Sequence, residues 1–173
     1  MRSKYLMLLL VGFLFFSACS QSPQKSYKII QDKNGRDVAV GVIPTKDLLA
    51  KFPKFSAEYD RFVPDSQAVR FLAEFKKPVR VLVFLGTWCP DSQREVPRFL
   101  KAIFQSGNTQ TIQVKLIASD RSKRDKAHLS QKYKIERVPT FVVLYKGKEI
   151  GRIVEHPKTS VEKDFVAILR KIS

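Results

Sequence analysis

The chain has 173 residues and only two cysteines, Cys19 and Cys89, which excludes a small domain held together by several disulfides. Lysine and arginine outnumber aspartate and glutamate by 32 to 16, giving a formal net charge of +16 at pH 7. Such a surface would be drawn to anionic membrane headgroups, and the alternative is a generally basic, solvated face without a specific partner. Because the cations are scattered and no nucleic-acid-binding motif is present, we expect no nucleic-acid partner.

Residues 1–18 have the layout of a secretory signal peptide. Arg2 and Lys4 precede an almost wholly apolar run over 5–16, and small residues follow. The apolar run is shorter than the roughly 20 residues that a membrane-spanning helix needs. We therefore predict a signal peptide over 1–18, with a buried helix as the alternative.

The segment from Phe16 to Cys19 (Phe-Ser-Ala-Cys) resembles the lipobox of bacterial lipoproteins, in which the cysteine is acylated and becomes the new N-terminus. We predict lipidation of Cys19, which would anchor the chain to a membrane, and a polar tether within 19–26. The alternative is an ordinary secretory cut after Ala18. The expected location is the bacterial cell envelope, facing the periplasm. The outer membrane is favoured because Ser20 stands where inner-membrane lipoproteins carry aspartate.

The first elements after the tether are a hairpin and a short helix. Apolar runs at 27–30 and 38–43 flank Asn34-Gly35, a pair that tolerates the positive φ of a tight turn. Leucines and a phenylalanine between 48 and 52 indicate a short helix that ends at Pro53.

From residue 65 onward, the pattern predicts alternating helices and strands. The apolar run at 79–85 indicates a central strand buried on both faces. The helix after Cys89 has an apolar stripe from Val96 to Phe104, and Thr159 with Glu162 indicates a capping box before the last helix. The remaining predictions are a helix capped by Asp65, a strand at 112–118, an exposed helix within 121–134, and a hairpin of strands at 140–145 and 149–154.

Cys89 lies where the central strand joins a helix N-terminus. Unpaired N–H groups and the helix dipole favour the thiolate form there. The Ser92 hydroxyl could add a hydrogen bond to the thiolate, whereas the charge of Asp91 opposes it. If Cys19 is lipidated, Cys89 is the only thiol in the chain. The alternative is that Cys89 is an inert, buried residue.

These residues resemble the active site of thioredoxins. Trp88-Cys-Pro-Asp-Ser92 is similar to the Trp-Cys-x-x-Cys motif of that family, and Pro97 matches the proline of its active-site helix. Val138-Pro-Thr-Phe141 is similar to its cis-proline loop. The resemblance implies a thioredoxin-like α/β fold over 65–173, with a central mixed sheet flanked by helices on both faces. Residues 27–64 would then be an N-terminal hairpin and helix extension, without a family counterpart or an assigned role.

The resemblance also implies site roles. Cys89 matches the nucleophile, Trp88 matches the aromatic residue that covers it, and the loop of Pro139 matches the one that pairs with an extended substrate. Trp88 could alternatively be an ordinary core residue. The partner-binding set implied by the resemblance is Pro90, Val138, Pro139 and Thr140.

Two departures from the family limit the chemistry. Ser92 replaces the resolving cysteine, so a mixed disulfide must be resolved by an outside thiol or by the substrate itself. Val83 stands where many thioredoxins hold a buried aspartate. Gly86 takes the place of the threonine usual in peroxidases of the superfamily.

The resulting hypothesis is a cell-envelope thiol–disulfide oxidoreductase-like protein that uses Cys89 alone, with Ser92 and Trp88 as supporting site residues. Its partners would be protein thiols or disulfides, and isomerase-type exchange suits it better than net reduction. The alternative is a non-catalytic binding module that holds a peptide beside Pro139, with Cys89 a relic. We expect no cofactor, and no metal site involving His128 and His156.

Overall fold

The structure is a computed structural model that describes residues 26–123 and 128–173. The predicted signal peptide, the lipidation site Cys19 and the tether up to residue 25 lie outside the described residues, so they stay predictions. Within the described ranges, no helix is both long enough and apolar enough to cross a membrane.

The described part of the chain contains six strands and six helices. The strands are β1 (Tyr27–Gln31), β2 (Asp37–Val42), β3 (Val79–Leu85), β4 (Ile112–Ala118), β5 (Thr140–Tyr145) and β6 (Lys148–Val154). The helices are α1 (Thr45–Lys51), α2 (Pro53–Arg61), α3 (Ser66–Glu74), α4 (Pro90–Ser106), α5 (Leu129–Lys132) and α6 (Val161–Leu169).

The strands form one mixed sheet in the order β1-β2-β4-β3-β5-β6. The β3–β4 pair is parallel, and the other neighbouring pairs are antiparallel. β3 lies inside the sheet and is buried except at Arg80, as its apolar run predicts. The chain leaves β3 at its carboxyl end and enters α4, and this connection carries Cys89.

Each face of the sheet carries its own hydrophobic core, which confirms the predicted fold class. The larger core contains buried hydrophobic residues of α1, α2, α3, α4 and α6. Its centre is a cluster of rings in which Phe99 lies 5.1 Å from both Phe141 and Phe165. Burying a phenylalanine stabilises the fold by about 1.5–3 kcal/mol. The smaller core surrounds Phe84 and is covered by residues of α5 and by Tyr133.

Residues 27–64 are built into this domain. The hairpin forms as predicted, with Gly35 at φ +70 in its turn, and β2 continues the sheet by pairing with β4. Leu48 of α1 and Phe55 of α2 are fully buried in the larger core. Pro53 begins α2 at the point where α1 ends, because proline is well suited to the first turn of a helix.

The prediction of an exposed helix within 121–134 is wrong for most of the residues that the structure describes in this range, which are 121–123 and 128–134. Only Leu129–Lys132 is helical, and residues 124–127 are outside the described chain. Lys123, His128 and Lys134 have positive φ, a left-handed backbone conformation that interrupts a right-handed helix.

The capping box predicted at Thr159 and Glu162 is also wrong. The N-cap of α6 is Ser160, and the Asp164 carboxylate accepts hydrogen bonds from the Lys158 and Thr159 amides at 2.6 and 3.2 Å. Glu162 instead turns inward, where its carboxylate accepts from the Asp65 amide at 3.4 Å.

Two predictions for the helix surfaces have different outcomes. Asp65 caps α3 as predicted, because its carboxylate accepts a 2.9 Å hydrogen bond from the Ala68 amide. Phe104, predicted to belong to the apolar stripe of α4, is 53% exposed and packs edge-on against Tyr59. Its neighbour Ile103 is buried, so the stripe is covered on one side and open at Phe104.

Candidate functional site

Cys89 is the N-cap residue of α4. Its amide donates to the Gly86 carbonyl at 2.9 Å, which closes the turn that follows β3. Pro90 occupies the first helical position, where its lack of an N–H costs no hydrogen bond. The side chain is 7% exposed, and Cys89 is the free cysteine of the described chain.

The structure brings the thiol to the loop that contains Pro139. The Sγ of Cys89 donates a hydrogen bond to the Val138 carbonyl, with 3.2 Å between the two atoms. The Val138–Pro139 peptide bond is cis. Two segments that are 49 residues apart in the chain therefore meet at the sulfur atom.

Hydrogen bonds on both sides hold this loop in place. The Thr140 hydroxyl donates to the Arg137 carbonyl at 2.7 Å, and the Glu155 amide donates to the Pro139 carbonyl at 2.8 Å. The Arg137 guanidinium also pairs with the Glu155 carboxylate at 2.8 Å, which raises the pKa of Arg137. The backbone next to the thiol is thus fixed by β5 and by the end of β6.

Trp88 is half-buried beside Cys89. Its indole N–H donates to the Ser119 carbonyl at 3.1 Å, and the Arg121 guanidinium lies over the ring, 4.5 Å from its centroid. The ring packs directly against Gly86, where a Cβ atom would lie 2.7 Å from the Trp88 Cε2 atom. Glycine at position 86 is therefore what allows this placement of the ring.

Ser92 is fully buried in the first turn of α4. Its hydroxyl oxygen accepts a hydrogen bond from the Gly86 amide at 3.2 Å. The predicted bond from Ser92 to a Cys89 thiolate stays a prediction, because the thiol here donates to Val138. What the structure gives to Ser92 is a role in fixing the loop that carries Trp88 and Cys89.

A charged network surrounds the first turn of α4. Arg94 donates to the Asp91 carboxylate at 2.9 Å and to the Glu95 carboxylate at 2.6 Å, and the Glu95 bond is the main cause of a raised pKa at Arg94. Arg94 therefore compensates the Asp91 charge that we expected to oppose a thiolate. His156 also reaches this network, with its Nδ1 3.1 Å from Arg94.

The contact between His156 and Arg94 was not predicted from the sequence. We also predicted no metal site for His156. His128 lies elsewhere, bonded to Gln131. In the described ranges, no group of three or more His, Cys, Asp or Glu side chains is arranged to hold a metal ion. The histidine was missed because only the tertiary fold brings the end of β6 to α4.

The N-terminal hairpin supports the site from the other side. The Thr87 hydroxyl accepts a 3.2 Å hydrogen bond from the Ala39 amide of β2, and the Thr87 carbonyl accepts one from the Gln93 side chain at 2.8 Å. Asp32, in the hairpin turn, lies 3.9 Å from the Arg121 guanidinium that covers Trp88. Residues 27–64 thus contact the loop that carries the thiol, a role not assigned to them from the sequence.

Comparison with known proteins gives a family match and similar folds. A family model described as thioredoxin matches residues 52–167. A protein of unknown function from Pseudomonas aeruginosa is 21% identical, with a TM-score of 0.53 over 74% of this chain and 85% of its own. An HIV epitope-scaffold protein has the same identity and TM-score, over 74% of this chain and 86% of its own. A thioredoxin from Nicotiana alata is 20% identical, with a TM-score of 0.39 over 61% and 81%.

No curated protein matches the chain. At 21% identity, the likeness to the first two structures concerns the fold alone. The family match begins at Phe52, the residue before α2, so it includes part of the segment that we predicted to be an extension.

Proposed function

Because this chain belongs to the thioredoxin family, we propose that it exchanges thiols and disulfides with protein partners in the bacterial cell envelope, using the single thiol of Cys89. The observation that carries the proposal is the 3.2 Å contact between the Cys89 sulfur and the Val138 carbonyl. It places the sulfur against a backbone segment that precedes a cis-proline and against the first turn of a long helix.

The first step is attack of the Cys89 thiolate on one sulfur of a partner disulfide. A new disulfide forms between Cys89 and that sulfur, the partner's own disulfide breaks, and its other sulfur leaves as a thiolate. The proton of Cys89 passes to solvent, since the Val138 carbonyl only accepts hydrogen bonds. The Asp91 carboxylate in the first turn of α4 is paired with Arg94 at 2.9 Å, so its charge opposes an incoming or departing thiolate less than an unpaired carboxylate would.

The second step has two outcomes. A thiolate of the same partner can attack its sulfur in the mixed disulfide, which returns Cys89 as a thiolate and leaves the partner with a rearranged disulfide. A thiol from outside can attack instead. Attack on the partner's sulfur joins that thiol to the partner and returns Cys89 as a thiolate, whereas attack on the Cys89 sulfur releases the partner reduced and leaves Cys89 in a disulfide with the outside thiol. Ser92 has no sulfur, so the chain itself cannot release the partner by forming a Cys89–residue 92 disulfide.

We propose the envelope location from residues 1–19, with Cys19 lipidated and the membrane as its anchor. Intact-mass measurement of the mature protein tests this, because lipidation starts the chain at Cys19 and adds acyl chains there. A Cys19→Ser variant should lose the acyl mass and leave the membrane fraction. A wild-type protein that starts at another residue or carries no acyl group would contradict the proposal.

The thiol chemistry is tested by incubating the full chain, in an uncharged detergent, with a peptide that contains one disulfide. We expect an adduct of one peptide arm on Cys89, released by an added thiol, and no adduct with Cys89→Ser. Ser56→Ala is the control, because it removes a hydroxyl outside the site and should form the adduct as the wild type does. Peptide binding that is equal in wild type and Cys89→Ser, without an adduct, would favour the non-catalytic binding module.

A further inference from the structure

The sheet face covered by α5 changes from apolar to basic along β3. Near the thiol, Phe84 and its register partner Ile117 are buried. At the opposite end, Arg80 is in register with Gln113, and Lys115 follows on β4 toward the same face. Because α5 has only four residues, it leaves this second end of the face open.

Two adjoining clefts follow the open end and form one feature, which we call the basic groove. Their volumes are about 390 and 270 Å³, and both are lined by Arg80 and Gln113. The first extends under α5 and the second reaches the β5–β6 turn. The floor contains the buried side chains of Leu82 and Leu144, and the cations of the lining are Arg80, Lys115, Lys132 and Lys146.

The four cations have no carboxylate partner among the residues that the structure describes. The ammonium groups of Lys132 and Lys146 lie 5.8 and 5.3 Å from the ring centroids of the adjacent tyrosines. Glu149 is the β6 residue in register with Leu144, but its carboxylate is already bound by Arg152 at 2.6 and 2.7 Å. The basic groove therefore combines an apolar floor with a positive rim whose charges are not paired to a carboxylate within residues 26–123 and 128–173.

We propose that the basic groove binds an extended acidic segment of a partner protein. Carboxylates of the segment would pair with the rim cations, and an apolar side chain would reach the leucines of the floor. The groove crosses from β4 to β5, about 10 Å at the usual interstrand spacing, which matches about three residues of extended chain. A concave site of this size suits a peptide better than a flat membrane, whose headgroups cannot reach the floor.

The edge of β4 offers a further contact for the part of such a segment that lies beyond the groove, where the chain would turn to run along the strand. β2 pairs with β4 only at Ile117 and Ala118, so the part of β4 before Leu116 has no strand partner on that side within the described chain. An extended segment can form main-chain hydrogen bonds along a free strand edge. The groove lies at the opposite end of β3 from Cys89, so this binding does not depend on the thiol chemistry.

The test uses the full chain in an uncharged detergent and a fluorescein-labelled 12-residue peptide of alternating glutamate and leucine, with fluorescence anisotropy as the readout. The test variant is Arg80→Gln/Lys115→Gln. The matched control is Lys28→Gln/Lys46→Gln, which removes the same charge from exposed positions outside the groove. Vesicles containing anionic phospholipid form a separate arm, and Cys89→Ser is measured in parallel.

We expect saturable binding that weakens at least about tenfold in the test variant, equivalent to about 1.4 kcal/mol, and is unchanged in the control and in Cys89→Ser. A circular dichroism spectrum identical to wild type would show that the test variant is folded. The proposal is overturned if both double variants lose affinity equally, if the peptide does not bind, or if only vesicles bind through Arg80 and Lys115.

Discussion

Substitution of Gly86 tests how the loop before Cys89 positions Trp88. A Cβ atom at position 86 would lie 2.7 Å from Trp88 Cε2 and 2.9 Å from its Nε1, so the ring has to move in Gly86→Ala. The move should break the 3.1 Å bond to the Ser119 carbonyl, worth about 0.5–1.5 kcal/mol, and the contact with Arg121, worth about 0.5–1 kcal/mol. The expected destabilisation is therefore about 1–2.5 kcal/mol.

For a chain of this size, that loss should lower Tm by about 2–10 °C. Trp88 is the only tryptophan, so its fluorescence emission should shift in the same variant as the ring becomes more exposed. Arg121→Gln removes the ring contact without adding an atom at position 86, and it should give a smaller loss of stability. The reasoning is refuted if Gly86→Ala has the wild-type Tm and the wild-type emission spectrum.

Three further changes have defined outcomes. Burial acts to raise the pKa of the Glu58 carboxyl, but its bonds to Arg98 and Arg61 lower it overall; this stabilisation is present above about pH 4.3 and is lost as pH falls through the folded-state pKa. Glu58→Gln should therefore cost about 1–3 kcal/mol near neutral pH and weaken the acid dependence of Tm, and an unchanged dependence would contradict the assignment. Thr87→Val leaves the buried Ala39 amide unpaired and should cost about 1–3 kcal/mol in urea unfolding, whereas a neutral result would deny that the hairpin supports the loop. Ser92→Cys supplies a second thiol and should turn over an insulin disulfide in the presence of a reductant, and inactivity would argue against Cys89 as a nucleophile.

The fold was predictable where the pattern is local. The apolar run of β3, the Asn34-Gly35 turn and the Asp65 cap each depend on a few neighbouring residues, and each is present in the structure. The capping box at Glu162 failed because a tertiary contact with Asp65 takes the carboxylate that the local pattern assigned to the helix end.

The site was predictable only in its central motifs. Cys89 and the Val138–Pro139 segment could be identified from a family resemblance, and the structure brings them into contact. Arg121 over Trp88, His156 beside Arg94 and Thr87 bound to β2 could not, because each contact joins segments that are distant in the chain. The sequence shows that position 86 is a glycine. Only the position of the Trp88 ring shows why a side chain cannot be accommodated there.

The most direct test of the single-thiol account is to identify what Cys89 is bound to in cells. Free thiols are blocked by acid quenching and alkylation, and the full chain is then recovered under non-reducing conditions for mass spectrometry. The account predicts Cys89 in disulfides with partner proteins, removed by reduction and absent from Cys89→Ser. Recovery of Cys89 solely as the alkylated free thiol, with the same co-purifying proteins in Cys89→Ser, would contradict it.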